Sequence, residues 1–343
     1  MRCYPIPKNP GAPMSLHPWL SFDPDQMVFG LKENLKNTVF HRLSRRGAVV
    51  AISGGIDSSV CAALSVAALG KQHVFGLLLP EKDSSSGSQR LGESVCEFLG
   101  IPHEVKNISP VLEAIGCYDQ RDSAIRKLFP EYSANWKNKI VISRNSYETD
   151  RLNFFRLVVE SPDGNRSEKR LPLKEYLQIV AATSFKQRIR KTLEYFHADR
   201  LNYAVVGTPN RLEYDQGFFV RNGDGAADVK PIAHLYKSQV YELGRHLKLP
   251  DLVVSASPTT DTYSLEQGQD EFYFSLPYDK MDLVLFGLNH GKGEEEVSRE
   301  TGLSPEQVRR ANNDILGKRR TTRQLHWKPL LMESVPEVNG NSK

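Results

Sequence analysis

The sequence predicts an α/β fold, an open parallel sheet flanked by helices with a helical C-terminal portion. Three observations carry this reading. Short apolar, β-rich runs recur at residues 48–52, 74–79 and 104–108, each with the length of a strand. Stretches long enough for helices, 57–69 and 88–99, lie between them. A Gly54-Gly55 turn sits where the first run gives way to the first helix. Strands that alternate with helices need right-handed crossovers, and therefore pair in parallel.

Later elements follow the same logic. Phe185, Ile189, Leu193 and Phe196 recur at helical spacing, so 185–196 reads as a helix facing the sheet, with Lys186 and Arg190 as solvated charges. A fourth strand follows at 203–206. Further helices are expected at 237–247, 265–274, 279–288, 294–301 and 305–316, with Gly302 stopping one and Pro305 opening the next. The region 120–173 breaks the rhythm. There 154–160 and 166–171 flank Ser161-Pro162-Asp163-Gly164-Asn165 and read as a hairpin. The expected organisation is one domain over 25–334 carrying a hairpin insertion at about 143–173. A loosely held segment, 1–24, precedes it and a polar tail, 335–343, follows.

Composition narrows the function classes. With 39% hydrophobic and 25% charged residues, the 343-residue chain reads as soluble and globular. No run of apolar residues is long enough to span a membrane, and Met1 to Pro13 contains no secretory h-region. Cys3, Cys61, Cys96 and Cys117 lie far apart without a CxxC pair, which fits reduced thiols in a cytoplasm better than disulfides or zinc. A net charge of +4 suits anionic small molecules and is too weak to imply nucleic acid.

The chemistry is concentrated in two loops. In Ser53-Gly54-Gly55-Ile56-Asp57-Ser58-Ser59, an apolar strand ends, two glycines turn, and a helix begins among hydroxyl groups. Open N–H groups at a helix start make an anion cradle, so phosphate is the natural guest. Neither Gly-Lys-[Ser/Thr] nor Gly-x-Gly-x-x-Gly is present, which excludes Walker A and Rossmann loops. The second loop follows the fourth strand: Gly207-Thr208, Glu213, Gly217-Phe218-Phe219, Arg221, Gly223-Asp224-Gly225 and Asp228. Ligands bind at that end of an open parallel sheet, and a carboxylate there could join Asp57 in holding Mg²⁺. A surface loop capped by acids is the plain alternative.

These elements together resemble the NAD synthetase family, ATP pyrophosphatases that amidate nicotinic acid adenine dinucleotide (deamido-NAD). The likeness runs from about Val49 to Asp261. It also takes in 79–85, Arg188, Leu235-Tyr236-Lys237 and Pro258-Thr259. Spacing agrees as well: twenty residues from Arg188 to Thr208, five from Thr208 to Glu213 and nine from Asp228 to Lys237. The resemblance implies an adenine nucleotide α-hydrolase-like, Rossmann-like fold and a ligase forming a carbon–nitrogen bond. It implies that Ser53, Gly54, Gly55, Ile56, Asp57, Ser58 and Ser59 bind ATP with Thr208, Lys237 and Thr259. Asp57 and Glu213 would be the Mg²⁺ ligands, and Arg188, Arg221, Asp228 and Lys318 would contact deamido-NAD. Asp57, Lys237 and Asp228 would carry the catalysis, with Asp224 or Asp228 near the ammonia site. A homodimer is implied too.

Two positions depart from the family pattern. Arg221 stands where the family has Lys, and Gly317-Lys318-Arg319 aligns with a His-Lys-Arg run whose His is missing. Only 52 residues precede the phosphate loop, too few for a glutaminase, so free ammonia or a separate glutaminase chain is the expected donor. One rival is a related ATP pyrophosphatase acting on another carboxylate, sugar or nucleotide. Another is DNA binding through the helix-Gly-helix stretch 294–310, which the acidic first helix argues against.

Overall fold

Buried, β-branched residues set the sheet, and the turns at strand ends set the site. The computed structural model describes residues 16–142, 154–256, 263–265, 268, 273–274 and 276–335. Asp23 caps α1 (Pro24–Asn37) by accepting the N–H groups of Asp25 and Gln26. Ala48, Val49 and Val50 bury β1 (Ala48–Ala51), which passes through the Gly-Gly turn into α2 (Ile56–Leu69). β2 (Val74–Leu78), α3 (Ser86–Leu99) and β3 (His103–Val105) come next, followed by α4 (Ser109–Ala114) and α5 (Cys117–Arg126).

The chain then departs from the main sheet to form β4 (Lys137–Ile142), β5 (Phe155–Glu160) and β6 (Arg166–Arg170), a separate antiparallel sheet in that order. It returns along α6 (Leu173–Leu201) to β7 (Ala204–Val206) and α7 (Arg211–Gln216). The C-terminal portion is helical: α8 (Lys237–His246), α9 (Asp251–Val254), α10 (Tyr278–Asn289), α11 (Glu294–Thr301) and α12 (Pro305–Thr322). The main sheet has the order β3-β2-β1-β7, and all its pairs are parallel. β1 is flanked by β2 on one side and β7 on the other. The loops leaving β1 and β7 therefore diverge, and a crevice opens between them.

Several expectations need correction. The segment before residue 24 is not loose throughout: Pro18–Leu20 forms a helical turn, and Leu20 packs into the core of the C-terminal helices. The third strand ends at Val105, because Ile108 adopts helical angles ahead of Ser109-Pro110 and buries against α5. The helix read at 185–196 is α6, with 29 residues. Its length was hidden because Lys186, Lys191 and Glu194 are buried among its apolar residues, so no clean stripe marks the helix. The hairpin is present as β5 and β6, with Gly164 at φ +84° in its turn, but it pairs with the unforeseen β4. Residues 143–153 of the expected insertion lie outside the described residues. Leu265 occupies a bend instead of starting a helix, and most of 266–275 lies outside the described residues. α12 continues to Thr322, past the expected end at 316, and so takes in Gly317-Lys318-Arg319. The helix-Gly-helix stretch packs Val297, Val308, Ala311 and Ile315 into the core with α10.

An ionic network joins the antiparallel sheet's helices to the main sheet. Lys186, 1% exposed, lies 2.9 Å from Glu81 Oε1 and 2.6 Å from Asp83 Oδ2, on the loop after β2. Arg121 of α5 reaches the same Asp83 oxygen at 2.5 Å, and the Tyr118 hydroxyl donates to Glu81 at 2.8 Å. Burial opposes ionisation of Asp83, and the two cations outweigh it, holding its pKa below the ordinary value. Breaking such a network strands buried charge. Lys186→Met is expected to lower the unfolding free energy by roughly 3–5 kcal/mol, measured by urea titration.

Candidate active site

The phosphate loop owes its shape to short-range hydrogen bonds. Gly54 sits at φ +84°, and a Cβ there would come within 2.5 Å of the Ser88 carbonyl oxygen, so only glycine lets the loop pass under α3. Ser58 Oγ accepts from Ser53 N at 3.2 Å and donates to Gly55 O at 3.0 Å, while Ser59 Oγ donates to Gly55 O at 2.8 Å. Gly55 caps α2 without a side chain, which leaves the helix N-terminus open for an anion.

β7 brings the second set of groups opposite this loop. Asn210 and Glu213 form a capping box at the start of α7. Asn210 Oδ1 accepts from Glu213 N at 3.2 Å, and Glu213 Oε2 accepts from Asn210 N at 3.1 Å. The Asn210 amide also donates to Asp57 Oδ1 at 3.1 Å. Lys237, at the first turn of α8, donates its ammonium to Asp57 Oδ2. Two carboxylates, one amide and one ammonium thus meet at the crevice.

Their charges are mutually dependent. Burial, then the charge of Asp57, pushes the Glu213 carboxyl up to about 8, against the pull of Lys237. Burial would drive the Lys237 ammonium down, but Asp57 and Glu213 outweigh it and raise its pKa above the ordinary lysine value. Asp282 of α10 completes the arrangement from behind. It accepts from Lys237 N at 3.2 Å and from Ser238 N and Oγ at 2.7 Å each, capping α8.

One cavity of about 520 Å³ runs along these groups. Residues 53–58, Thr208, Glu213 and Lys237 line it, as do Lys186, Arg190, Lys191, Glu194 and Asp224. Ser59 turns away to hold the loop. Sequence reasoning missed the α6 charges: Arg190 donates to Leu79 O at 3.2 Å, and Lys191 pairs with Glu194 at 2.6 Å inside the protein. Only burial distinguishes these from ordinary surface charges. The Asn210-x-x-Glu213 spacing, by contrast, was a legible capping signal.

The residues expected to contact the dinucleotide are not among those lining this cavity. Arg188, Arg221 and Asp228 are exposed and do not line the cavity, and Arg188 Nε donates to Arg221 O at 3.3 Å. Asp228 is held by Val205 N at 2.8 Å on the outer side of β7. Gln187 and Val220, their chain neighbours, do line the cavity, so this exposed patch borders its rim. Asp224 is inside, with Oδ1 accepting from Val220 N at 2.8 Å, and burial raises its pKa. Lys318 sits apart, 2.6 Å from both Tyr273 O and Asp314 Oδ2. Thr259 lies outside the described residues.

This constellation on this strand order matches a known family. A model of NAD synthase matches residues 27–147 and 163–324. The chain belongs to the NAD synthase family. It is 56% identical over 314 residues to the NH(3)-dependent NAD(+) synthetase of Rhizobium meliloti, with 92% of each chain covered. Two solved structures share the fold. The NMN synthetase of Francisella tularensis gives a TM-score of 0.62 at 22% identity, covering 91% of this chain and 99% of that one. The NH3-dependent NAD synthetase of Campylobacter jejuni gives 0.59 at 21% identity, covering 91% and 100%. As in the family, the parallel sheet is flanked by helices, in agreement with the expected fold class.

The buried cap at α8 has a pH consequence. Burial pushes the Asp282 carboxyl up to about 7, although its hydrogen bonds favour the charged form. A folded pKa above the unfolded value means that stability present in acid is lost as pH rises towards 7. The urea midpoint of the ligand-free protein should therefore carry a downward component between about pH 4 and 7. Asp282→Asn should flatten that component, measured as the difference between the two proteins' midpoints across the range.

Proposed function

We propose that this NAD synthase family member amidates nicotinic acid adenine dinucleotide to NAD, with ATP as co-substrate and ammonia as nitrogen donor. The observation that carries this reading is the meeting of the 53–58 loop, Asp57, Glu213 and Lys237 in one cavity. The relatives at 50–56% identity, NH(3)-dependent NAD(+) synthetases, support the ammonia-dependent ligase reaction, and no glutamine site is needed for it.

A carboxylate cannot become an amide until its oxygen is turned into a leaving group. In the first step the pyridine carboxylate oxygen bonds to the α-phosphorus of ATP, and pyrophosphate departs. The loop N–H groups and the Lys237 ammonium would neutralise the departing charge. In the second step ammonia bonds to the acyl carbon, a proton leaves nitrogen, and AMP departs. Asp224, which lines the cavity, would hold that proton, a role for which it is better situated than Asp228 on the outer side of β7.

Mg²⁺ fits the donor set. Asp57 and Glu213 offer hard oxygens, and an ammonium already rests on Asp57 where positive charge is favoured. Among the described residues no group of three His, Cys, Asp or Glu could hold a metal ion, so the remaining ligands would be phosphate oxygens and water. When bound, the ion would polarise the phosphates for attack.

Arg188, Arg221 and Asp228 at the cavity rim would meet the part of a dinucleotide that extends beyond the cavity, in a homodimer. The role of Thr259 as an ATP contact stays part of this proposal, as does that of Lys318 towards substrate. Among the described residues, no helix is long and apolar enough to cross a membrane, and Cys61, Cys96 and Cys117 are buried free thiols. A cytoplasmic enzyme supplied with free ammonia, or with ammonia from a separate glutaminase chain, fits these properties.

The test follows AMP and pyrophosphate with ATP, Mg²⁺, ammonium and nicotinic acid adenine dinucleotide. Asp57→Asn and Glu213→Gln should each cut AMP formation by at least about a hundredfold while the far-ultraviolet circular dichroism spectrum is unchanged. Formation of ADP in place of AMP would overturn the reading. With glutamine replacing ammonium, the purified chain should form no NAD.

A further inference from the structure

The NAD synthase match stops at residue 147 and resumes at 163. Phe155, the first residue of β5, falls inside that gap and nevertheless lines the cavity shared with the phosphate loop. Its ring stacks on Tyr176 with centroids 4.2 Å apart, and Val180 and Thr183 continue the same wall along α6. Tyr263 joins the wall from a distant part of the chain. It is buried in the antiparallel sheet's own core, with Phe129, Tyr132, Ile140, Leu157 and Ile179.

The open edge of β4 seats Tyr263. One side of β4 pairs with β5, and among the described residues no strand pairs with the other side. There Asn138 N donates to Ser264 Oγ at 2.8 Å, and Asn138 O accepts from Leu265 N at 3.1 Å. The Asn138 amide nitrogen donates to the Tyr132 hydroxyl at 2.7 Å and to Ser264 Oγ at 3.3 Å. Asn138 is 0% exposed, and its Oδ1 has no hydrogen-bond partner among the described residues. A buried amide left partly unsatisfied costs stability, so its worth lies in what the rest of it holds.

We propose that the antiparallel sheet, whose middle strand β5 lies in that gap, is a water-excluding wall of the active site, and that Asn138 is the positioning residue that seats Tyr263 in it. The inference rests on the ligase reading above and deepens it. An acyl adenylate has two competing fates. Attack by ammonia forms the C–N bond, breaks the bond from acyl carbon to the AMP oxygen, and releases one proton with AMP. Attack by water forms a C–O bond and breaks the same bond. It returns the carboxylate, releases two protons and AMP, and consumes ATP without product. A dry aromatic wall over the adenylate suppresses the second fate.

The experiment measures AMP formed per NAD formed, with ATP, Mg²⁺, ammonium and nicotinic acid adenine dinucleotide. The wild-type ratio is expected near one. Absence of wild-type AMP would overturn the ligase reading itself, separately from any variant result. At subsaturating ammonium, Asn138→Ala, Ser264→Ala and Tyr263→Ala should each raise the ratio by about threefold or more. The ratio should fall again as ammonium increases, because the two nucleophiles compete. Ser161→Ala, in the hairpin turn that does not line the cavity, should keep the wild-type ratio. If AMP and NAD fall together at an unchanged ratio, these residues only support the fold, and the wall is overturned. Ser264→Ala removes a single oxygen and keeps the test decisive should Asn138→Ala fail to fold.

Discussion

The contact between the Lys237 ammonium and the Asp57 carboxylate holds the site together. The two residues stand 180 positions apart, one opening α2 and the other opening α8. Lys237 is 2% exposed, and a cation buried to that degree is tolerable only beside anions. Asp57 supplies one in direct contact, and Glu213 lies close by, its carboxyl pushed up to about 8 by burial and the charge of Asp57 against the pull of Lys237. Asn210 binds both acids, and Asp282 fixes the helix end that carries Lys237.

A second ionic arrangement works on the other side of the cavity. Glu81 and Asp83 leave β2 on a loop with no regular structure, and Lys186 and Arg121 fasten that loop to α6 and α5. Those helices also carry the antiparallel sheet. The ionic network and the Asn138 contacts thus tie the insertion to the nucleotide cavity at two points, one through charge and one through an open strand edge. A sheet that looked like a surface addition is continuous with the site.

Particular elements show how far local sequence could lead. β1, α2 and the Gly-Gly turn were readable because strand pattern, turn chemistry and helix start agree over a dozen neighbouring positions. α11 was readable for the same reason, with Gly302 ending it at φ +67°. β4 escaped because Lys137, Asn138 and Lys139 look polar, although Asn138 is buried by contacts from far along the chain. Lys186 passed for a surface charge because its partners lie a hundred residues earlier, in a loop without periodicity.

What the sequence determined by itself was the parallel sheet, the Gly-Gly turn into α2 and the family, because these rest on short-range patterns and fixed spacings. Which charges are buried was decided only by tertiary structure. Lys186, Lys191 and Glu194 turn inward while Arg188 and Asp228 stay outside, and no local signal separates the two groups. Burial depends on what packs across from a residue, and for α6 that is assembled from β2, the inserted sheet and the loop after β7.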